Sequence, residues 1–271
     1  EITCRDWSSD VCSSDLELMR LNPAEILIPE FLKIPGDIPG HITQYPNWNF
    51  EPIRCEEKLK DHFKVSTLDA FGIKGLSLAL QAAGAIIDYI NDTQPSALKI
   101  LSNISNYSTL TFMILDSSTR RNLELTETLR KNEVKGSLLH ILDYAITAMG
   151  KRLLRKWVSQ PLLDIDEINL RQNCVEYLKS NGLLRVELFA QLRKINDLER
   201  LISRVISGHA IPRDLVAIRS TLQNLPDLIQ ILSKIDSSFF MKIIEKIHNC
   251  SEELRFLESA IAEDPPATLQ N

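Results

Sequence analysis

The sequence predicts an α+β protein that is mainly α: a small α/β segment followed by a bundle of long helices. Up to about residue 49 the chain is rich in proline and short apolar runs, the make-up of strands and loops. Beyond Asp116, amphipathic helical stripes succeed one another to the end. The 271 residues, 44% hydrophobic and 25% charged, suffice for one large or two smaller globular domains with a sizeable core.

Residues 1–16, EITCRDWSSDVCSSDL, are polar and Ser/Asp/Cys-rich, with neither helical nor strand periodicity and no apolar stretch of the signal-peptide kind. They are similar to a translated sequencing adapter, so a non-native tail is expected, and Cys4, Trp7 and Cys12 carry no meaning on that reading. Glu25-Ile26-Leu27-Ile28-Pro29 reads as a short buried strand, after which Pro35-Gly36, Pro39-Gly40 and Pro46 punctuate a loop-rich stretch. Cys55 to Val65 carries enough Lys and Glu for a short helix, and Phe71 to Gly75 reads as a turn. Leu76, Leu80, Ala83, Ile87 and Ile90 share one helical face, ended by Asn91 to Pro95. Thr109 to Leu115 has the β-branched and aromatic content of a strand.

In the helical half, Asp164 with Glu167, and Asn196 with Glu199, read as capping boxes. They precede the stripes Ile165, Ile168, Val175, Leu178 and Leu198, Leu201, Ile202, Val205, Ile206. Pro212 suits a first helical position, with Leu215, Ile218, Leu222 and Leu225 on one face until Pro226 bends or interrupts the helix. Phe240, Ile243, Ile244 and Ile247, then Leu254, Leu257 and Ile261, give two more stripes. Asp264-Pro265-Pro266 ends the last helix, and the stop at Asn271 reads as a cut in a longer chain.

A formal charge of −5 lacks the positive excess of an autonomous nucleic-acid binder, so any DNA contact must come from a local patch. Mean hydropathy is −0.08, and no run approaches the roughly 18 apolar residues of a membrane span, which argues against an integral membrane protein. Five scattered cysteines argue against a disulfide scaffold and for a reducing compartment. The sequons at Asn91, Asn103, Asn106 and Asn249 then read as chance matches.

No constellation for chemistry emerges. A phosphate loop needs a glycine separated by four residues from Gly-Lys-Ser/Thr, and around Gly150-Lys151 the first glycine's and the hydroxyl's positions hold Ala145 and Arg152. His41, His62, His140, His209 and His248 stand apart from one another and from Cys55, Cys174 and Cys250, so no zinc pair forms. No catalytic, cofactor-binding or metal residue is therefore expected in this chain. Two basic clusters remain: Arg120-Arg121 with Arg130-Lys131 around Glu124 and Glu127, and Lys151-Arg152 with Arg155-Lys156 around Leu153, Leu154 and Trp157. On a helix Lys151, Arg152, Arg155 and Lys156 line one side, either as a candidate surface for phosphate or an acidic partner, or as a solvated face paired with acidic neighbours. Residue pattern alone supports nothing finer than a helical scaffold or adaptor.

The run Asp116-Ser117-Ser118-Thr119-Arg120-Arg121-Asn122-Leu123-Glu124 is followed by Leu139-His140-Ile141-Leu142-Asp143 and by Thr147-Ala148-Met149-Gly150-Lys151-Arg152-Leu153-Leu154-Arg155-Lys156-Trp157. Together they resemble the opening of the core, or lever, domain in the MutS family of DNA mismatch repair proteins. Asp197-Leu198-Glu199-Arg200 and Pro212-Arg213-Asp214-Leu215 extend the likeness, and upstream Glu25 to Pro29, Trp48-Asn49-Phe50 and Ala82 to Ala85 with Tyr89 resemble the family's connector domain. The resemblance implies a connector part at 17–104 and a core part at 105–271, without the mispair wedge, the DNA clamp or the nucleotide site. For the parent it implies a homodimer on mismatched DNA, ATP and magnesium, a MutL-type partner meeting the connector, and the bacterial cytoplasm at the nucleoid. Asp116 would cap the turn that opens the core, and Arg120, Arg121 and Glu124 would fix the joint between the domains, with Asn122 and Leu123 completing the motif.

Overall fold

The computed structural model describes residues 13–32, 39–71, 73, 75–101, 104, 111–113, 115–235 and 238–266. Contacts divide the chain into two compact units, Glu1–Leu123 and Glu124–Asn271.

In the first unit, helix α1 (Ser13–Leu21) precedes strand β1 (Glu25–Pro29), which pairs in parallel with β2 (His41–Tyr45), Glu25 opposite His41 and Pro29 opposite Tyr45. β1 stands where its apolar run predicts it. β2 corrects the loop reading: His-Ile-Thr-Gln-Tyr is β-prone, but its bracketing by Gly40 and Pro46 reads as punctuation. α1 is a second correction, since a helix begins inside the stretch read as aperiodic. Of the strand expected at 109–115, residues 109, 110 and 114 lie outside the described set; Phe112 forms an isolated bridge, and residues 111, 113 and 115 are not strand.

Helices α2 (Pro52–Phe63) and α3 (Ser77–Thr93) form the body of this unit. Pro52 occupies the first turn of α2, where its missing N–H costs nothing, and Lys64 closes the helix in the left-handed region at φ 54°. The two helices meet at a glycine: a Cβ on Gly84 would stand 2.6 Å from the Cα of Cys55, so only glycine permits this approach. One turn on, buried Asp88 is held by Arg54 at 3.1 Å and Lys58 at 2.9 Å, which compensates its loss of solvation. Leu59, Leu68, Ile73 and Ile87 form the core, joined by Leu80 and Ala83 of the expected stripe. Helix α4 (Ser117–Asn122) ends the unit.

The second unit is helical among its described residues: α5 (Leu138–Leu142), α6 (Ala148–Ser159), α7 (Ile165–Ser180), α8 (Gly182–Leu192), α9 (Leu198–Ile206), α10 (Pro212–Ser233), α11 (Ser238–Ile244) and α12 (Ser251–Ala260). Cys174, Leu228, Leu232, Ile235 and Phe240 form its core, with Tyr177, Leu178, Leu184, Leu188 and Ile243 packed around them. On α7 the expected stripe is therefore displaced. Ile165 and Val175 are 70% and 66% exposed, and the face that packs is Cys174, Tyr177 and Leu178, a set the tyrosine and cysteine hide from an aliphatic count. Asp164 caps α7 as expected, accepting from the N–H groups of Asp166 and Glu167.

The cap of α9 is Asp197, one residue beyond the predicted Asn196, and it accepts from the Arg200 N–H. Asn196 instead turns inward, its Nδ2 donating to Ala217 O and Thr221 Oγ1. α10 runs 22 residues, about 33 Å at the standard helical rise, and passes through Pro226 without interruption. Pro226 is solvent-exposed, and Leu222 and Leu228 on either side of it are buried, so packing holds the helix across the missing N–H.

Candidate functional site

The motif Asp116 to Glu124 does two local jobs. Asp116 caps α4 by accepting from the Thr119 N–H, and the Thr119 hydroxyl with that N–H holds its carboxyl below the ordinary range. Arg120 donates from Nε to Leu115 O at 3.1 Å and bonds the chain entering α4. Partial burial and the like charge of Arg20 weaken its hold on the proton, opposed by Glu17. Arg121 and Asn122 are exposed, and Leu123 closes the helix by donating its N–H to Thr119 O. Glu124 sits at φ 47°, its carboxylate accepting from Leu129 N–H at 2.6 Å and its carbonyl from Leu138 N–H at 2.9 Å. Asp116 is thus the cap that the sequence predicts, and Glu124 spends its polar groups on the loop that opens the second unit.

The basic face of α6 is met by carboxylates. Thr147 caps the helix through the Gly150 N–H at 3.0 Å. Arg152 reaches the start of α9 in a forked pair, donating to both oxygens of Asp197 at 3.0 and 2.7 Å and to Glu199 from Nε at 2.8 Å. Both carboxylates tighten its hold on the proton, and Arg152 in turn is the chief reason that Asp197 lies below the ordinary carboxylate range. Lys151 faces Asp143 at 3.9 Å and Arg155 faces Glu127 at 4.0 Å; Lys156 is exposed, with no ion pair among the described residues. Three of the four cations are accordingly paired with acidic neighbours. On the other side of the helix the Arg171 guanidinium lies 3.8 Å from the Trp157 ring centroid.

Two further arginine contacts continue this path, and neither is announced by any sequence pattern. Arg204, in the last turn of α9, donates to Asp214 at 2.8 Å in the first turn of α10. Asp214 also accepts from the Ile211 N–H, the largest cause of its lowered pKa, ahead of Arg204. Buried Arg219 then donates to Ile261 O at 2.6 Å and Ala262 O at 3.3 Å, the carbonyls at the exit of α12. Motif residues Arg152, Asp197, Glu199 and Asp214 are each visible in sequence, but their partners lie up to 47 residues away and carry no periodic signal.

The residues around Gly150-Lys151 do not fit a nucleotide. Gly150 lies within α6 with its N–H given to Thr147, Lys151 faces Asp143 and Arg152 is engaged with α9. Among the described residues no three His, Cys, Asp or Glu side chains gather as a metal site, and Cys55 and Cys250 are free thiols. No described helix is long and apolar enough to cross a membrane.

The chain is thus a small α/β unit followed by a helical unit whose helices are joined by arginine–carboxylate pairs. Family models agree: MutS domain II matches residues 8–108 and MutS domain III matches residues 118–271. The chain belongs to the MutS family. It is 39% identical over 258 residues to the DNA mismatch repair protein MutS of Lachnoclostridium phytofermentans, covering 92% of this chain and 28% of that protein. The MutS of Alkaliphilus metalliredigens is 42% identical over 222 residues, covering 82% of this chain and 25% of its own length, and that of Thermosynechococcus vestitus 37% over 284 residues, covering 98% and 32%. The chain thus spans about a quarter to a third of these relatives.

Proposed function

We propose that this segment serves a DNA mismatch-recognition ATPase as its connector and lever, linking the grip on DNA to the nucleotide site. On this reading residues 17–104 belong to the connector and 105–271 to the core. Mismatched duplex DNA, ATP with magnesium, a second subunit and a MutL-type partner at the connector engage the whole protein, in the bacterial cytoplasm at the nucleoid. This segment itself carries out no catalysis.

The observation that supports the reading best is the succession of a domain II and a domain III match along one chain, with the motif Asp116 to Glu124 at the change from one compact unit to the next. Long helices packed at native density deform little, so a displacement at one end of such a bundle reaches the other. Asp116, Arg120, Arg121, Asn122, Leu123 and Glu124 are the residues of the joint, and Arg121 is the exposed cation among them.

The test is Arg121→Glu in the full-length protein that carries this segment. Mismatch binding should persist while ATP-driven release from the mismatch is lost. Intact coupling at normal stability would reject the joint.

A further inference from the structure

Helix α9 is nine residues long and buries one side chain deeply, Leu201 at 4% exposure, while Ile202 and Val205 of the same stripe are 47% and 41% exposed. So short a helix has little intrinsic stability, and apolar contacts alone fix neither its rotation nor its tilt, because the hydrophobic effect is non-directional. Its two ends, however, are bonded in a directional way. At the N-terminus Arg152 of α6 forks onto the cap residue Asp197 and onto Glu199. At the C-terminus Arg204 of α9 binds Asp214 in the first turn of α10, and its Nη2 holds His209 O at 3.0 Å in the intervening turn. Behind the first clasp, Thr221 of α10 holds Asn196, the residue before the cap, at 3.1 Å through its hydroxyl. The planar guanidinium fork fixes both distance and orientation, which a lysine ammonium does not.

We propose that α9 is a strut between α6 and α10, pinned at one end by Arg152 to Asp197 and Glu199 and at the other by Arg204 to Asp214, and that Arg152 is the positioning residue through which a displacement of α6 reaches the long helix α10. This rests on the reading of the segment as a lever. It removes Arg152 from the surface offered to phosphate: its donors are committed to α9.

The experiment uses the full-length protein with Arg152→Ala, Arg152→Lys and the exchange Arg152→Asp with Asp197→Arg. Two quantities are read: the thermal midpoint, and the acceleration of nucleotide exchange by a mismatched duplex over a matched one. Arg152→Ala should reduce that acceleration about tenfold, the scale of an ordinary coupling between sites, with basal exchange and mismatch affinity unchanged. Arg152→Lys should recover little of it, and the charge exchange should recover most. An Arg152→Ala protein that keeps the full mismatch response overturns the proposal. So does one that loses response and thermal midpoint together with neither recovered by the exchange. A wild-type protein without any mismatch response refutes the lever reading itself; a responsive wild type with a responsive Arg152→Ala refutes only the strut.

Discussion

Thr221→Val probes how the start of α9 is positioned. Thr221 is fully buried on α10, and its hydroxyl donates to Ala217 O at 2.9 Å while accepting from the backbone N–H and the Nδ2 of Asn196, each at 3.1 Å. Valine keeps the shape and removes the acceptor. Asn196 Nδ2 retains Ala217 O, so the group left without a partner is the Asn196 backbone N–H. An orphaned, part-buried N–H costs about 1–3 kcal/mol, and the midpoint of that range should lower the melting temperature of a unit this size by about 6 °C. Thr221→Ser is the control: it keeps the hydroxyl and loses one buried methyl, for about 1 kcal/mol. Circular dichroism melts of the three proteins decide the matter. Asn196→Ala keeps its backbone N–H bond to Thr221 and shares with Thr221→Val only the loss of the Nδ2–Oγ1 bond, so the two costs should add except for that one bond. A valine variant as stable as the serine variant would mean that the Asn196 N–H does not depend on the Thr221 hydroxyl.

Other contacts give three more expected outcomes. Gly84→Val should force α2 and α3 apart, because even a Cβ would stand 2.6 Å from the Cys55 Cα; the overpacking costs about 1–3 kcal/mol, read as a lower melting temperature, and an unchanged melt contradicts the packing described. The Asp197 and Asp214 carboxyls lie below the ordinary value of 3.8 in the folded chain, so they stabilise it fully above that pH and the contribution is lost as pH falls through their lower folded values. Asp197→Asn should therefore flatten the acid limb of the melting profile below about pH 4, whereas an unaltered limb would dissociate Asp197 from Arg152. Arg171→Ala should uncover one face of Trp157, shifting its fluorescence to the red and costing about 0.5–1 kcal/mol; identical emission would mean that the stack does not persist in solution.

Much of the fold is legible in the sequence where apolar spacing is regular. β1, the Asp164 cap and the Pro212 start of α10 stand where the pattern puts them. Leu80, Ala83 and Ile87 of the α3 stripe face the core, whereas Leu76 is exposed and the deepest positions of α3 are Gly84, Ala85 and Asp88, off the stripe. β2 is missed because strand pairing is a non-local event: His41 to Tyr45 gains its partner from β1, and five residues between Gly40 and Pro46 hold too little alternation to announce it. Local rules also misplace the α9 cap, since Asn196 and Asp197 both suit an N-cap and the choice is made by Thr221 on α10. Pro226 shows the reverse, a strong local breaker overridden by burial of Leu222 and Leu228. For the candidate site, the sequence supplies the residues of the basic face but not its partners. Arg152 finds Asp197 and Glu199 only once the tertiary fold brings its side chain to the start of α9, and Arg204 carries no motif at all.

If the segment transmits as proposed, and neither grips mispairs nor turns over nucleotide itself, titration should show it. The purified chain is titrated with matched and mismatched duplexes across a salt series while ATP turnover is followed in parallel. Weak binding without mismatch preference, a shallow salt slope and no turnover are expected. Nanomolar, mismatch-specific binding by the chain alone would contradict the transmitting role.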